Sequence, residues 1–266
     1  MLKGCLIYDE VGAAKNGYII ERFCEEAKGR GLDLSLVIFR GVKSLPERVD
    51  FAVVRTRDPL VNGFFEKSGI RTFNGSRTNF VSNDKYETYL LAKKLGLPVM
   101  ETQTVDSAAA SPFAFPFVVK SRGGHGGNEV YLCENAEEFR TIVGDRKDFI
   151  AQPLCGRVGV DVRLYCIGKT VVAAVKRSAE KGFKSNFTLG GRAEVFKPTD
   201  EQSAIVGKLY DRLKFDFVGV DFIMDGGKWV LNEIEDPVGS RMLYSCTDVD
   251  IAKVFIDYVA KEMKSE

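Results

Sequence analysis

At 266 residues, 45% of them hydrophobic and 28% charged, the chain has a globular composition, with room for a substantial core and two lobes. Its formal net charge of +1 supplies no global field for nucleic acid or an anionic membrane, so any phosphate chemistry must come from locally placed Lys and Arg. Six scattered cysteines without a CxxC pair read as reduced thiols, the N-terminal apolar run is too short for a signal peptide, and the longest uncharged apolar stretch, 108–119, carries two prolines; a cytoplasmic protein is expected.

Strand-like runs at 5–8, 34–39 and 51–54 alternate with helical stretches at 17–28 and 60–67, the pattern of a small βαβ layer. No GxGxxG follows the first strand, which removes a dinucleotide fingerprint. Ser82-Asn83-Asp84 caps a helix that runs through Leu95 and stops at Gly96 and Pro98. The first domain boundary is placed near residue 80, giving domains 1–80, 81–150 and 151–266.

The middle part reads as a small α+β lobe: strands at 99–105, into Lys120 and at 129–133, then a helix at 136–143. After FIAQPL at 149–154, two long strands at 159–167 and 170–178 flank the tight Gly168-Lys169 turn, and 183–194 reads as loop. Thr199 opens a helix with Gln202 as capping-box partner, an acidic hairpin follows, and Thr247 is expected to cap the final amphipathic helix.

The acidic hairpin, VGVDF at 218–222 and VLNEIED at 230–236, brings Asp221, Glu233 and Glu235 within reach of one another. Glu233 and Glu235 share a strand face. A tight Gly226-Gly227 turn would set Asp221 opposite Asn232, whereas a longer loop or glycine bulge would set it opposite Glu233; the bulged register is the expectation. Bare carboxylates ~5 Å apart repel by roughly 3 kcal/mol per pair at an effective dielectric of ~20. A divalent cation would remove that cost, and oxygen donors in a chain with one His favour Mg2+ or Mn2+ over Zn2+. The competing reading is a solvated acidic edge.

Residues 117–132, FVVKSRGGHGGNEVYL, run from a strand ending in Lys120 through a glycine-rich loop around His125 into a returning strand. Glycines let backbone N–H groups close on a phosphate, and Lys120 would add a point charge; a flexible hairpin tip accounts for the glycines equally well. His125 reads as a loop contact rather than a general base, since no orienting partner is evident. No P-loop consensus, HRD or DFG occurs, which removes P-loop NTPases and protein kinases.

The ordered set Asn83-Asp84-Lys85, FVVKSRGGHGG, IAQPL, DVR at 161–163, VVAAVKR ending at Arg177, FKSN at 183–186, Gly190-Gly191, VGVDF and LNEIE resembles an ATP-grasp ligase of the RimK type over residues 83–266. The resemblance implies an α/β (α+β ATP-grasp) fold, a Rossmann-like pre-ATP-grasp domain followed by a two-lobed ATP-grasp domain. It implies that Lys85, Lys120, Asp161, Lys184 and Ser185 lie against ATP, that Gly123, Gly124, Gly126 and Gly127 close over the phosphates, and that Gln152, Pro153 and Leu154 form the adenine hinge. Pro153 has no N–H, so Leu154 is the expected donor to the ring. Arg163, Arg177 and Asn186 would stabilise the transferring group, Arg55, Arg57 and Arg241 would clamp substrate carboxylates, and Asp221, Glu233 and Glu235 would ligate metal. The chain departs from the family at Glu235, where Asn is usual, at Gln152-Pro153, where close relatives have Glu-Tyr, and at Lys184, where they have Arg.

The activity so implied is ATP-dependent joining of a carboxylate and an amine, drawn from amino acids, small molecules or peptides, through an acyl phosphate. A short first domain and near-neutral charge favour a small or peptide acceptor, and the exposed face of the last helix offers a surface for self-association. Two other readings keep the fold and drop the ligation: a non-catalytic ATP-binding regulatory protein and an ATP-grasp kinase.

Overall fold

The computed structural model describes residues 1–265 apart from 47, 128, 157–158 and 180–191. In the first domain, β1 (Leu2–Tyr8) leads through α1 (Glu10–Lys15) and α2 (Gly17–Lys28) to β2 (Leu32–Ile38). A 3-10 turn at Val42–Ser44 precedes β3 (Phe51–Val54), α3 (Pro59–Lys67) and β4 (Arg71–Phe73). The four strands pair in parallel in the order β2-β1-β3-β4. Nearly every side chain of β1 and β3 is buried, as expected for strands covered on both faces, and this explains their continuous apolar runs.

Helix α4 (Ser76–Ser82) crosses to α5 (Lys85–Lys94), whose N-cap Asp84 accepts from the N–H groups of Tyr86 and Glu87. An antiparallel sheet in the order β5-β8-β6-β7 then forms from β5 (Gln103–Val105), β6 (Phe117–Ser121), β7 (Val130–Cys133) and, after α6 (Ala136–Val143), β8 (Phe149–Pro153). The second lobe comprises β9 (Val160–Ile167), β10 (Thr170–Ser178), β11 (Arg192–Val195), α7 (Asp200–Leu213), β12 (Phe217–Asp225) and β13 (Lys228–Glu235), followed by α8 (Arg241–Cys246) and α9 (Ile251–Ser265). Its antiparallel sheet has the order β11-β10-β9-β12-β13.

One face of this five-stranded sheet, through Val162, Leu164, Val220, Phe222, Leu231 and Ile234, packs against α5 and α7. The other face is divided. Its apolar half, Tyr165, Ile167, Val175 and Phe217, joins the core of the first domain, and its charged half carries Asp161, Arg163, Arg177 and Asp221. The last helix closes that shared core: Phe23 of α2, Phe217 and Phe255 of α9 are each at most 1% exposed, with burial worth ~1.5–3 kcal/mol apiece. The first domain thus has a core of its own on one face of its sheet, around Ile7, Ala52, Val54 and Phe65, and shares the core on the other face with α9 and the second lobe.

Several expectations change. Strand β11 overlaps the end of the stretch expected as loop, and α1, β4, α4 and α8 are additional to the expected elements. Within 99–105 only Gln103–Val105 joins a ladder, with Val99 making an isolated bridge to Leu231. Thr247 terminates α8, its hydroxyl donating to Leu243 O, and Asp250 supplies the carboxylate that accepts from Lys253 N in the first turn of α9. The capping box at Thr199 and Gln202 is present as expected, and none of the six cysteines is in a disulfide. No helix among the described residues is long and apolar enough to cross a membrane.

Candidate active site

The hairpin register is the first element of the site. Gly226 and Gly227 sit at φ 53° and 81°, so β12 and β13 meet through a tight two-residue turn with Asp225 opposite Lys228. That turn alone would pair Asp221 with Asn232. The register shifts between Asp221 and Phe222, leaving Asn232 as the extra residue, and Asp221 stands opposite Glu233. The expected register is therefore reached by a different device: the bulge lies in the strand, at Asn232, and not in the glycine loop. Asn232 is put to use, since its Oδ1 accepts from Lys120 Nζ at 3.0 Å.

A cavity of about 260 Å³ opens between the two lobes. Gln152, Pro153 and Leu154 line one end with the apolar Val118, Val160 and Ile223, a slot suited to a flat ring. Lys85, Lys120 and the glycines of the β6–β7 hairpin line the rest with Glu233 and Glu235. Gln152 is held by donating to Thr102 Oγ1 at 2.9 Å. Lys85 Nζ donates to Gly124 O and lies 3.5 Å from Glu233 Oε2, tying the glycine hairpin to the acidic strand. Burial lowers the pKa of Lys120, opposed by Glu233 and assisted by Lys85.

The charged sheet face forms a ladder of alternating sign: Asp161, Arg177, Asp221, Arg163, Glu235. Arg163 holds Asp221 through Nε–Oδ1 at 2.8 Å and Nη2–Oδ2 at 2.7 Å, and pairs with Glu235 through Nη1. Arg177 grips Asp161 with two nitrogens and reaches Asp221 Oδ2 at 2.7 Å. Burial alone would raise the Asp221 carboxyl, but Arg163 and Arg177 outweigh it and bring it down to about 2. Gly219 makes room for the ladder: a Cβ there would lie 2.7 Å from Val238 and 3.4 Å from the Arg163 side chain.

This arrangement sets Asp221 apart from the other two members of the expected metal set. Asp221 is fully buried, both of its oxygens face arginine, and it is absent from the cavity wall, whereas Glu233 and Glu235 line it. Among the described residues no three His, Cys, Asp or Glu side chains form a metal-holding group. Two hard oxygen-donor side chains on the wall fit a divalent cation shared with phosphates, which normally keeps water and substrate ligands.

The substrate arginines separate. Arg55 is buried at the seam between the first domain and the second lobe, donating to Val238 O at 2.6 Å with its guanidinium over the Phe217 ring, and lines neither cavity. Arg57 is exposed and lines a smaller cavity beside the glycine hairpin, which Gly123 also lines, and Arg241, first residue of α8, lines the main one. Lys184, Ser185 and Asn186 lie outside the described residues. Sequence reasoning missed Asn232 as a partner of Lys120; no local signal marks a mid-strand bulge.

A glycine hairpin and hinge facing an acidic antiparallel sheet across a cleft define a two-lobed nucleotide-dependent ligase. The chain belongs to the RimK-like ATP-grasp family, whose domain model matches residues 87–259. The probable alpha-L-glutamate ligase 2 of Hahella chejuensis is 31% identical over 211 residues, covering 75% of this chain and 69% of that one. Among solved structures, the D-cycloserine synthetase DcsG superposes with a TM-score of 0.76 at 20% identity over 98% of this chain and 99% of that one. The ATP-grasp ligase PsnB, complexed with a phosphomimetic variant of its minimal precursor, Mg and ADP, gives a TM-score of 0.72 at 15% identity over 99% of each chain. The chain is an ATP-dependent carboxylate-amine ligase, forming C–N bonds.

Proposed function

We propose that the ligase couples an amino acid or peptide carboxylate to an amine through an acyl phosphate. The observation that carries this reading is the convergence of Lys85, Lys120, the glycine hairpin, the Gln152–Leu154 hinge and Glu233 with Glu235 on one cavity. The adenine ring lies at the hinge, with Leu154 N–H as donor, and the phosphates lie under the glycines against Lys85 and Lys120. Glu233 and Glu235 would hold Mg2+, which when bound offsets phosphate charge and orients the γ-phosphoryl group.

A substrate carboxylate oxygen forms a bond to the γ-phosphorus as the bond from that phosphorus to the β–γ bridging oxygen breaks, releasing ADP. The amine nitrogen then bonds to the acyl carbon, the carbon–oxygen bond to phosphate breaks, and phosphate leaves with the electron pair while the amine proton passes to water. Lys85 and Lys120 neutralise the phosphoryl oxygens, and Arg177, held by Asp161 and Asp221 at the cavity wall, faces the charge that develops. Enclosure by the glycine hairpin protects the acyl phosphate from hydrolysis.

The test is ADP and phosphate release from ATP with Mg2+ over pools of amino acids and short peptides, with a Glu233→Ala/Glu235→Ala double variant as blank. Release that depends on the pool and vanishes in the blank is the expected result. ATP binding without release under any pool would count against ligation and in favour of a regulatory role.

A further inference from the structure

We propose that Arg122 and Asp84 form a positioning pair: their two-point ion pair holds the root of the glycine hairpin against the first turn of α5, so that Lys85 and the hairpin amides stand in place before ATP arrives. The inference rests on the nucleotide site of the ligase reading. It adds two residues outside that site, since neither lines the main cavity or the smaller one.

Arg122 is the first residue after β6, where the chain leaves the strand for the glycines. Its Nε lies 3.1 and 3.0 Å from the two Asp84 carboxylate oxygens, and its Nη2 donates to Asp84 Oδ2 at 2.6 Å. The guanidinium also sits 5.3 Å from the centre of the Tyr86 ring. Asp84 in turn caps α5, its Oδ1 accepting from the N–H groups of Tyr86 and Glu87. Helix α5 joins the core of the second lobe through Leu91 and Ala92, whereas β6 belongs to the sheet β5-β8-β6-β7. The pair therefore crosses between the lobes at the point where the hairpin leaves its sheet.

The neighbouring contacts show what the pair aligns. Lys85 N donates to Arg122 O at 3.1 Å, and Lys85 Nζ donates to Gly124 O two residues further into the hairpin. On the opposite side, Arg122 N donates to Asp148 O at 2.8 Å, just ahead of β8. Arg122 is thus the point at which the hairpin, the phosphate-facing lysine and the sheet meet. Glycine-rich backbone has many conformations to lose when it closes over phosphates, and an anchor at its root removes part of that cost before the nucleotide binds. The two side chains are 31% and 22% exposed, so the pair has surface strength sharpened by two-point geometry, and its effect falls on ATP affinity more than on the fold.

The experiment measures calorimetric binding of a non-hydrolysable ATP analogue with Mg2+ to the wild type, Asp84→Asn, Arg122→Gln and the double variant. Asparagine caps a helix as well as aspartate does, so Asp84→Asn removes the ion pair and keeps the cap. The sign of its effect separates positioning from bulk electrostatics. Loss of a negative charge would by field alone tighten binding of an anionic nucleotide, whereas the positioning pair predicts binding about three- to fivefold weaker in Asp84→Asn, with a similar loss in Arg122→Gln. The double variant should lose about the same factor and not the product of the two. Turnover at saturating ATP should stay within about twofold of wild type, and the urea midpoint should be unchanged. Unchanged or tighter binding in Asp84→Asn, losses that multiply in the double variant, or a lowered urea midpoint with unchanged affinity would overturn the proposal. Hydroxylamine trapping separates it from the ligase reading: a hydroxamate with unaltered affinities keeps the ligase and removes the pair, the predicted affinity losses without a hydroxamate from any acid do the reverse, and a wild type that binds no nucleotide removes both.

Discussion

Asp221 and Arg163, directly opposite each other on β12 and β9, form a two-point ion pair with both carboxylate oxygens within 2.8 Å of guanidinium nitrogens. Arg177, on β10 one strand beyond β9, adds a third contact. In this structure the residue that reads from sequence as a metal ligand is the buried counterion of two arginines that line the cavity.

This assignment separates two carboxylates that would otherwise be treated alike. Asp221→Asn leaves two buried guanidinium groups undercompensated and is expected to destabilise the fold by ~3–5 kcal/mol, the usual cost of breaking a buried pair. Glu233→Gln, at a partly exposed position, should change stability by ~0.5 kcal/mol or less while raising the Mg2+ concentration needed for half-maximal turnover. Denaturant unfolding of both variants beside a Mg2+ titration checks the contrast; equal stability losses would show that the ladder is not structural.

Asn232 gives a second prediction. Its bulged position aims the side chain amide at Lys120, and Asn232→Ala should weaken ATP binding about three- to tenfold, the net worth of one ordinary hydrogen bond. Stability should be nearly unchanged because the ladder on either side of the bulge is retained. ATP binding by calorimetry reads the effect, and an affinity equal to wild type would mean that Lys120 holds its place unaided.

The seam between the first domain and the second lobe predicts a pH dependence. Burial pushes Asp216 up to about 6, against the opposing influence of Arg71 and the hydrogen bond donated by Tyr258. The folded state therefore holds a proton that the unfolded chain, near 3.8, has already released. The stabilisation from Asp216 is full below about 3.8 and is lost as pH rises through about 6. Asp221, at about 2, acts oppositely: its contribution is full above 3.8 and is lost as pH falls through about 2. Urea unfolding of wild type and Asp216→Asn between pH 4.5 and 7.5 should show the wild-type advantage shrinking as pH rises. A difference that does not vary with pH would contradict it.

Much of this was legible because the chain states it locally. Continuous apolar runs marked β1 and β3, alternation marked the long antiparallel strands, and the Thr199–Gln202 capping box marked α7. The elements missed were short, such as β4 with three residues and α1 and α8 with six each, where periodicity has too few repeats to register. The fate of the arginines was also illegible. Arg55 and Arg57 are two residues apart and look equivalent, yet both lie beyond the end of β3, and the Val238 carbonyl holds one in the seam while the other stays exposed at the small cavity. Thr247 resembled an N-cap, but an unread helix ends there, and the next one takes Asp250.

The central claim is that carboxylate activation precedes amide formation. The most direct test supplies ATP, Mg2+, the amine and an acid from a productive pool whose carboxylate carries two 18O atoms, and reads the released phosphate by mass spectrometry. An acyl phosphate requires one 18O to move from the acid into inorganic phosphate for each amide formed. Amide formation with unlabelled phosphate, or labelled phosphate without any amide, would contradict the account.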